Sequence, residues 1–370
     1  MTQQSYDERI ERLRALGAAM FGEHRLIIAS NRGPIEYDLS PSGDILEGRG
    51  SGGVVTALSA IARYMPLTWI SATMTEGDYA AYERAGGRAE RAPFEDQEMY
   101  IRLVAPPRAT YQRHYNVFCN PLLWFVQHYM WNTPRMPNIS RAVYDAWDSG
   151  YVVVNRMFAD AIVDEADRLQ DGRCFVMLHD YHLYLAPGMV RERLPEARIQ
   201  HFTHIPWPDP RYWQLIPSFM RSEIHAKLAA ADIAGFQTRR DVRNFLLCCE
   251  AFLGAEVDYR TNEVIHAGHR TYVAAYPISV DARGLEELAA SDEVERYSAR
   301  LAPMFGPQTI VRVDRTEPSK NILRGFRAFE LLLSRYPDLR GRVQMVAFLV
   351  PSRSELAIYQ TYTDEIFETA

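Results

Sequence analysis

A chain of 370 residues, 47% of them apolar, is too long for one ordinary domain and has the nonpolar side chains for a large core, so two domains are expected. A formal net charge of -6, from 41 basic and 47 acidic residues, gives no polyanion-binding signature, whereas nucleic acid would favour a basic face. No stretch reaches the roughly 18 uninterrupted apolar residues of a membrane span, and the charged opening MTQQSYDERIERLRAL, helical in pattern, has no apolar signal-peptide core.

In chain order, residues 25–30 (RLIIAS) predict a buried strand. A glycine-rich loop at 48–53 (GRGSGG) and a helical segment at 54–64 follow, then a strand at 67–72. Short apolar runs at 175–178 and 200–203 end in polar motifs, and 233–237 and 271–275 repeat the theme. After Tyr276-Pro277 the pattern restarts, with strands at 309–313 and 343–350, a helix at 322–336 between them, and a charged helical stretch at 354–370. Strands alternating with helices predict parallel sheets covered on both faces. The expected fold class is α/β, with an N-terminal domain at 1–276 and a partial second domain at 277–370. The hinge is expected at 276–279, where Pro277 resists both helix and central strand. Cys119, Cys174, Cys248 and Cys249 lack metal or framework spacing and read as reduced thiols of a cytoplasmic protein. The sequence leaves a homo-oligomer open.

Ligands of open parallel sheets bind beyond the carboxyl ends of the strands, and several polar motifs stand there. Arg32 of Ser30-Asn31-Arg32 suits bidentate contact with a phosphate or carboxylate, or is a surface loop arginine. Gly50-Ser51-Gly52-Gly53, ahead of a helix, lets backbone approach an anion, or is a plain turn. Its spacing is neither the dinucleotide fingerprint nor a Walker loop. His179-Asp180-Tyr181-His182 and His204-Ile205-Pro206-Trp207-Pro208 follow two further strands. The spacings His179/His182 and His201/His204 raise a metal site. On a strand, however, a separation of three sends side chains to opposite faces, and no Cys or Glu-x-x-His partner completes the set. Buried histidines with a fixed proton remain the alternative, and no metal or other cofactor is expected. In Val313-Asp314-Arg315-Thr316-Glu317-Pro318-Ser319-Lys320-Asn321, two cations at a helix start oppose the helix dipole. An anion is therefore expected between Arg315 and Lys320, and a diphosphate suits the place. Pro351-Ser352-Arg353 is one more strand-end arginine. Together these motifs predict a phosphate-rich ligand between two domains. No Gly-x-Ser-x-Gly elbow or Cys–His nucleophile is present.

In this order, SNR, a Gly-Gly loop, Tyr…NPLLW, HDYH, HIPWP, GFQT, an Arg-x4-Lys loop and a late SR make the chain resemble the trehalose-6-phosphate synthases from about Arg25 to its end. The resemblance implies the GT-B fold, with two Rossmann-like domains facing a cleft. It implies transfer of glucose, with retention and without a metal, from a nucleotide-sugar donor (UDP- or GDP-glucose) to a sugar-phosphate acceptor, glucose 6-phosphate. Carried over by position, it implies that Arg32, Tyr115, Trp124, Asp180 and Arg353 hold the acceptor, and that Gly52 and Gly53 lie by the donor phosphates. Asp180 and His204 would face the transferred sugar, and Arg315 and Lys320 would bind the donor diphosphate, where two fixed cations stabilise the leaving group.

The sequence departs from the family in three places. The arginine loop reads Arg-Thr-Glu-Pro-Ser-Lys-Asn instead of Arg-Leu-Asp-Tyr-Ser/Thr-Lys-Gly. Trp69-Ile70-Ser71-Ala72-Thr73 stands where a Trp-x-Gly-Trp segment is usual. The chain stops before the Asp-Gly-x-Asn-Leu-x-x-x-Glu segment that grips donor sugar and ribose, so an incomplete second domain and poor catalysis by this chain alone are expected. Trp-Ile-Ser and HIPWP…YW also resemble the pseudo-glycosyltransferase that makes validoxylamine phosphate, which couples a nucleotide-cyclitol to an amino-cyclitol phosphate but lacks a matching Ser-Asn-Arg and Gly-Gly. A non-catalytic homologue that binds sugar phosphate is the third alternative.

Overall fold

The computed structural model describes residues 3–21, 26–50, 53–63, 65–93, 98–130, 139–168, 174–353 and 356–370. They divide into two units, Met1–Ile278 and Ser279–Ala370.

The strands of the first unit are β1 (Leu26–Ala29), β2 (Ile35–Leu39), β3 (Ile45–Arg49), β4 (Leu67–Ala72), β5 (Glu90–Arg91), β6 (Met99–Val104), β7 (Phe175–His179), β8 (Arg198–Phe202), β9 (Ile233–Phe236), β10 (Glu256–Asp258), β11 (Glu263–His266) and β12 (His269–Ala275). Ten form one sheet in the order β10-β11-β12-β9-β8-β7-β1-β4-β6-β5. From β12 to β6 every pairing is parallel, and the antiparallel pairings lie at the two edges. All residues of β1 and β4 are buried, as expected of strands covered on both faces. The pleat then sorts their side chains. Ile27 and Ala29 pack with Val154, Phe158 and Ile162, one stripe of the helix Val152–Ala166. Leu26 and Ile28 pack with Leu58, Trp69 and Met99 on the other face.

Chain order sets the functional geometry. From β1 the chain builds outward on one side through β4 and β6, then returns to place β7, β8 and β9 on the other. The carboxyl ends of β1 and β7 therefore flank the point where the strand order reverses, the usual binding crevice of an open α/β sheet.

The hairpin β2–β3 has no counterpart among the predicted elements; its signal was the turn Ser40-Pro41-Ser42-Gly43-Asp44, with Gly43 at φ 88°. The hairpin also gives a reason for one glycine of the 48–53 loop. Gly50 donates its amide to the Pro34 carbonyl at 2.8 Å, and a Cβ there would stand 2.3 Å from the Gly33 carbonyl oxygen. Gly53 opens the helix Gly53–Ser59 with no atom within 4 Å of an added Cβ. Ser51 and Gly52 lie outside the described residues.

The second unit pairs β13 (Gln308–Arg315) with β14 (Val343–Val350) in parallel and adds helices Ala282–Ala289, Asp292–Leu301, Ile322–Arg335 and Ala357–Thr369. Among its described residues only Thr316, Glu317, Ile322, Tyr359 and Ile366 are buried, whereas Val313 is 70% exposed. Its apolar core is therefore small.

Gly50→Ala is expected to cost about 1–3 kcal/mol, the range for overpacking. Gly53→Ala, at an open helical position, should be neutral or stabilising by up to about 1 kcal/mol. Chemical denaturation of the two variants reads the difference, and equal midpoints would remove the packing reason for Gly50.

Candidate active site

The turn after β1 is fixed by groups from distant strands and helices. Trp69 of β4, wholly buried, donates its indole N–H to Ser30 Oγ at 2.8 Å, and Ser30 Oγ donates to the Arg32 carbonyl at 2.7 Å. Asn31 donates to the Tyr111 hydroxyl at 3.0 Å. Gly33 lies against Ser71, leaving no room for a Cβ. Trp69 and Ser71 of the variant Trp-Ile-Ser segment therefore buttress the Arg32 turn from within the sheet. The Arg32 guanidinium lies within electrostatic reach of the Tyr115 side chain and stands 3.8 Å from the Glu36 carboxylate.

Tyr115 lies on Arg113–Trp124, a helix wound wider than an α-helix and containing Pro121. Its ring stacks on Tyr111 (centroids 5.6 Å) and on His182 (5.7 Å). Arg32 is thereby joined to the His179–His182 motif through one aromatic stack. Trp124 ends the same helix, packed against Phe125 and His128, with 4% of its surface exposed.

Asp180, directly after β7, has φ 70° and ψ 173°, a region that costs a residue with a Cβ about 1–3 kcal/mol. This conformation lets one Asp180 carboxylate oxygen accept the His204 backbone N–H at 3.2 Å, while its carbonyl meets His201 Nε2 at 3.3 Å. His179 Nδ1 and His204 Nε2 are 3.1 Å apart and share one proton. His179, His201 and His204 thus converge through hydrogen bonds around Asp180, with His182 joined by stacking on Tyr115, which their strand separation alone did not suggest. Among the described residues no group of three or more His, Cys, Asp or Glu is placed to hold a metal ion. Burial lowers the His204 pKa to about 4 and that of His201 to about 3, so both imidazoles are neutral near pH 7.

What holds the strained turn is Asn155, which the motifs did not reveal. It is completely buried on the helix Val152–Ala166. Its amide donates to the Tyr151 and His182 carbonyls at 2.9 and 3.0 Å, and its oxygen accepts from Leu185 and Ala186 at 3.0 and 3.1 Å. Tyr151 adds a bond to the Tyr181 carbonyl (2.7 Å), and Tyr181 donates to Asn120 (2.8 Å). The only signal in sequence was a polar residue within an apolar helical stripe.

In the second unit, Arg315 ends β13, and Lys320 precedes Asn321, whose left-handed conformation starts the helix Ile322–Arg335. Between these two cations, where an anion is expected, the chain places one of its own. Glu317, 2% exposed, lies between them, with one carboxylate oxygen 3.5 Å from each. Arg353, at φ 47° beyond β14, donates to the Tyr359 hydroxyl at 2.5 Å and lies over that ring. Arg32 and Arg353 fall in different units.

Two α/β units, each presenting arginine at the carboxyl ends of parallel strands, have the fold class of the GT-B proteins. The glycosyltransferase family 20 model matches residues 24–370. A UDP-forming alpha,alpha-trehalose-phosphate synthase 2 of Aspergillus niger is 32% identical over 354 residues, covering 94% of this chain and 69% of that protein. The UDP-forming alpha,alpha-trehalose-phosphate synthase of Schizosaccharomyces pombe is 30% identical over 362 residues, covering 94% and 65%. The crystal structure of a UDP-forming alpha,alpha-trehalose-phosphate synthase from Burkholderia xenovorans in complex with glucose-6-phosphate superposes with a TM-score of 0.73 at 25% identity, covering 93% and 70%. The chain belongs to glycosyltransferase family 20, the family of the trehalose-6-phosphate synthases. It spans about two thirds of the length of these relatives.

Asn155→Leu leaves two buried N–H and two carbonyl groups unpaired, each worth about 1–3 kcal/mol. A loss of at least about 3 kcal/mol in denaturant unfolding is expected, and a loss below about 1 kcal/mol would show that the turn holds itself. The histidines set a pH dependence. His201 and His204 stay neutral in the fold but take up protons in the unfolded chain below its ordinary pKa of 6.5. Stability is therefore full above that value and falls as pH drops toward 4, by about 1.4 kcal/mol per pH unit and proton. Between pH 6.5 and 5, above most carboxylate titration, His204→Gln should show a shallower fall; an identical slope would mean that His204 is not buried neutral.

Proposed function

We propose that the chain carries the acceptor side and part of the donor side of an enzyme that transfers glucose from UDP-glucose to glucose 6-phosphate with retention, giving trehalose 6-phosphate and UDP. The domain at 1–276 takes the acceptor and the domain at 277–370 the nucleotide-sugar. The observation that carries this function is the continuous group Arg32–Tyr115–His182–Asp180–His204 at the strand-order reversal of the sheet. A sugar phosphate needs a cation for the phosphate, aromatic walls, and neutral or anionic acceptors for hydroxyls, and these are the groups assembled there. The UDP-forming names of the relatives and the glucose-6-phosphate complex support uridine and this acceptor. Four buried free cysteines fit a cytoplasmic setting. Among the described residues no helix is long and apolar enough to cross a membrane.

In this assignment Arg32, with Tyr115 against it, holds the acceptor phosphate, and Trp124 and Arg353 are the further acceptor residues that the family resemblance implies. Asp180 and His204 face the transferred sugar, and neutral His204 exchanges hydrogen bonds with hydroxyls without repelling positive charge at the anomeric carbon. The bond from that carbon to the diphosphate oxygen breaks, and the bond to the acceptor hydroxyl forms on the same face. The acceptor proton passes to the departing phosphate oxygen, so no protein nucleophile is required. Arg315 and Lys320 stabilise the charge that develops on UDP, and Gly52 and Gly53 are the further donor residues that the family resemblance implies.

Arg315→Ala and Lys320→Ala should each weaken UDP binding about tenfold to a hundredfold, the worth of one charge-assisted contact. Arg32→Ala and Arg353→Ala should instead remove the thermal protection conferred by glucose 6-phosphate while leaving UDP affinity intact. Calorimetry and thermal unfolding read the two sets, and equal UDP affinity across all four variants would overturn the donor assignment. Incubation with UDP-glucose and glucose 6-phosphate, with UDP release measured, tests transfer itself. Binding without release would favour a non-catalytic sugar-phosphate binder.

A further inference from the structure

The loop that presents Arg315 and Lys320 already contains an anion, and its geometry is specific. Glu317 is the most deeply buried carboxylate of the loop, with its side chain 3% exposed against 58% for Arg315 and 37% for Lys320. One of its oxygens is 3.5 Å from each cation and accepts from Ser319 Oγ at 2.9 Å. The other is buried with no hydrogen-bond partner. The backbone allows Glu317 little movement. Pro318 restricts it to an extended conformation, observed at φ -136° and ψ 147°. Its amide donates to the Arg315 carbonyl at 2.8 Å, its carbonyl accepts from Lys320 N at 3.0 Å, and the adjacent Thr316 N is bonded to the Val350 carbonyl at 2.8 Å.

The cations are long, half-exposed and able to swing; the carboxylate between them is not. An anion arriving at Arg315 and Lys320 draws them away from Glu317, whose charge is then left buried with less compensation, an unfavourable state. The arriving anion also meets a like charge at short range.

We infer that Glu317 is the resident counter-ion of the diphosphate site: it holds Arg315 and Lys320 in position while the site is empty, and it lowers affinity for the bound nucleoside diphosphate so that the product leaves. This rests on the proposal that Arg315 and Lys320 bind the donor diphosphate. It makes Glu317 a positioning and affinity-setting residue, and it predicts a gain of binding, opposite in sign to the loss expected of a residue that merely supports the loop.

The test is calorimetry with UDP, inorganic pyrophosphate and uridine on the full chain, on Glu317→Gln and on Arg315→Ala. Gln keeps the shape and an acceptor for Ser319 but removes the charge. We expect Glu317→Gln to tighten UDP and pyrophosphate roughly tenfold, about 1.4 kcal/mol, with uridine binding unchanged. Glu317→Met, with similar volume and no charge, should move the same two ligands in the same direction and serves if the Gln variant unfolds. UDP affinity that is unchanged or weaker in both variants, while Arg315→Ala still weakens it, overturns the counter-ion role and leaves the donor assignment standing. UDP and pyrophosphate affinity unaffected by Arg315→Ala overturns the donor assignment, and this inference with it.

Discussion

Parallel strands are directional, and that constraint governs the first unit. From β12 to β6 all carboxyl ends lie along one edge of the sheet, because every pairing between them is parallel. The chain leaves β1 toward β4 and later returns to β7 on the opposite flank, so the loops after β1 and β7 diverge and leave a crevice. Arg32 and Asp180 stand beside this crevice because they lie in the turns that directly follow β1 and β7. Trp69 and Asn155, both fully buried, translate the rigidity of strand and helix into the two turns.

The polar groups of this edge are matched to different tasks by burial. Imidazoles taken out of water lose their charge, so His201 and His204 become neutral hydrogen-bonding groups. Arg32 keeps an open side chain, with Tyr115 and Glu36 beside it. Asp180 is held in a backbone conformation it would not adopt freely, and the grip of Asn155 on the following residues maintains it. Strain at a turn of this kind is sustained only where the surroundings over-determine it.

The second unit follows the same topology with far less support. β13 and β14 run parallel and present Arg315 and Arg353 beyond their ends, yet few of its described residues are buried. Its ordered feature is the turn around Glu317, where a carboxylate occupies the place that charge balance in the sequence had reserved for a bound anion. Local charge counting identified the need for an anion between the cations but could not say that the chain supplies one, because a glutamate two residues along a loop points inward only if the backbone turns there.

Much of the architecture was legible in the residues. Continuous apolar runs marked β1, β4, β7, β9 and β14; in β1 and β4 the reason is that a strand buried on both faces cannot alternate, and β4 and β14 have the predicted bounds. The strand before Arg315 extends two residues further than its apolar run, to Arg315 itself, since backbone pairing with β14 continues past the last valine. The hairpin β2–β3 and the strand β6 were not legible. β2 and β3 carry charged residues, and β6 includes Arg102, buried only because Asp164 and Glu165 of a distant helix meet it. Motif order and residue type by themselves determined the α/β class, the family and the candidates at the strand ends, since these depend on local periodicity and on chemistry written along the chain. Which of those candidates touch was decided by tertiary structure alone. Tyr115 against Arg32 and His182, His179 against His204, and Asn155 under the Asp180 turn are contacts between segments far apart in sequence, and only the order in which strands enter the sheet brings them together.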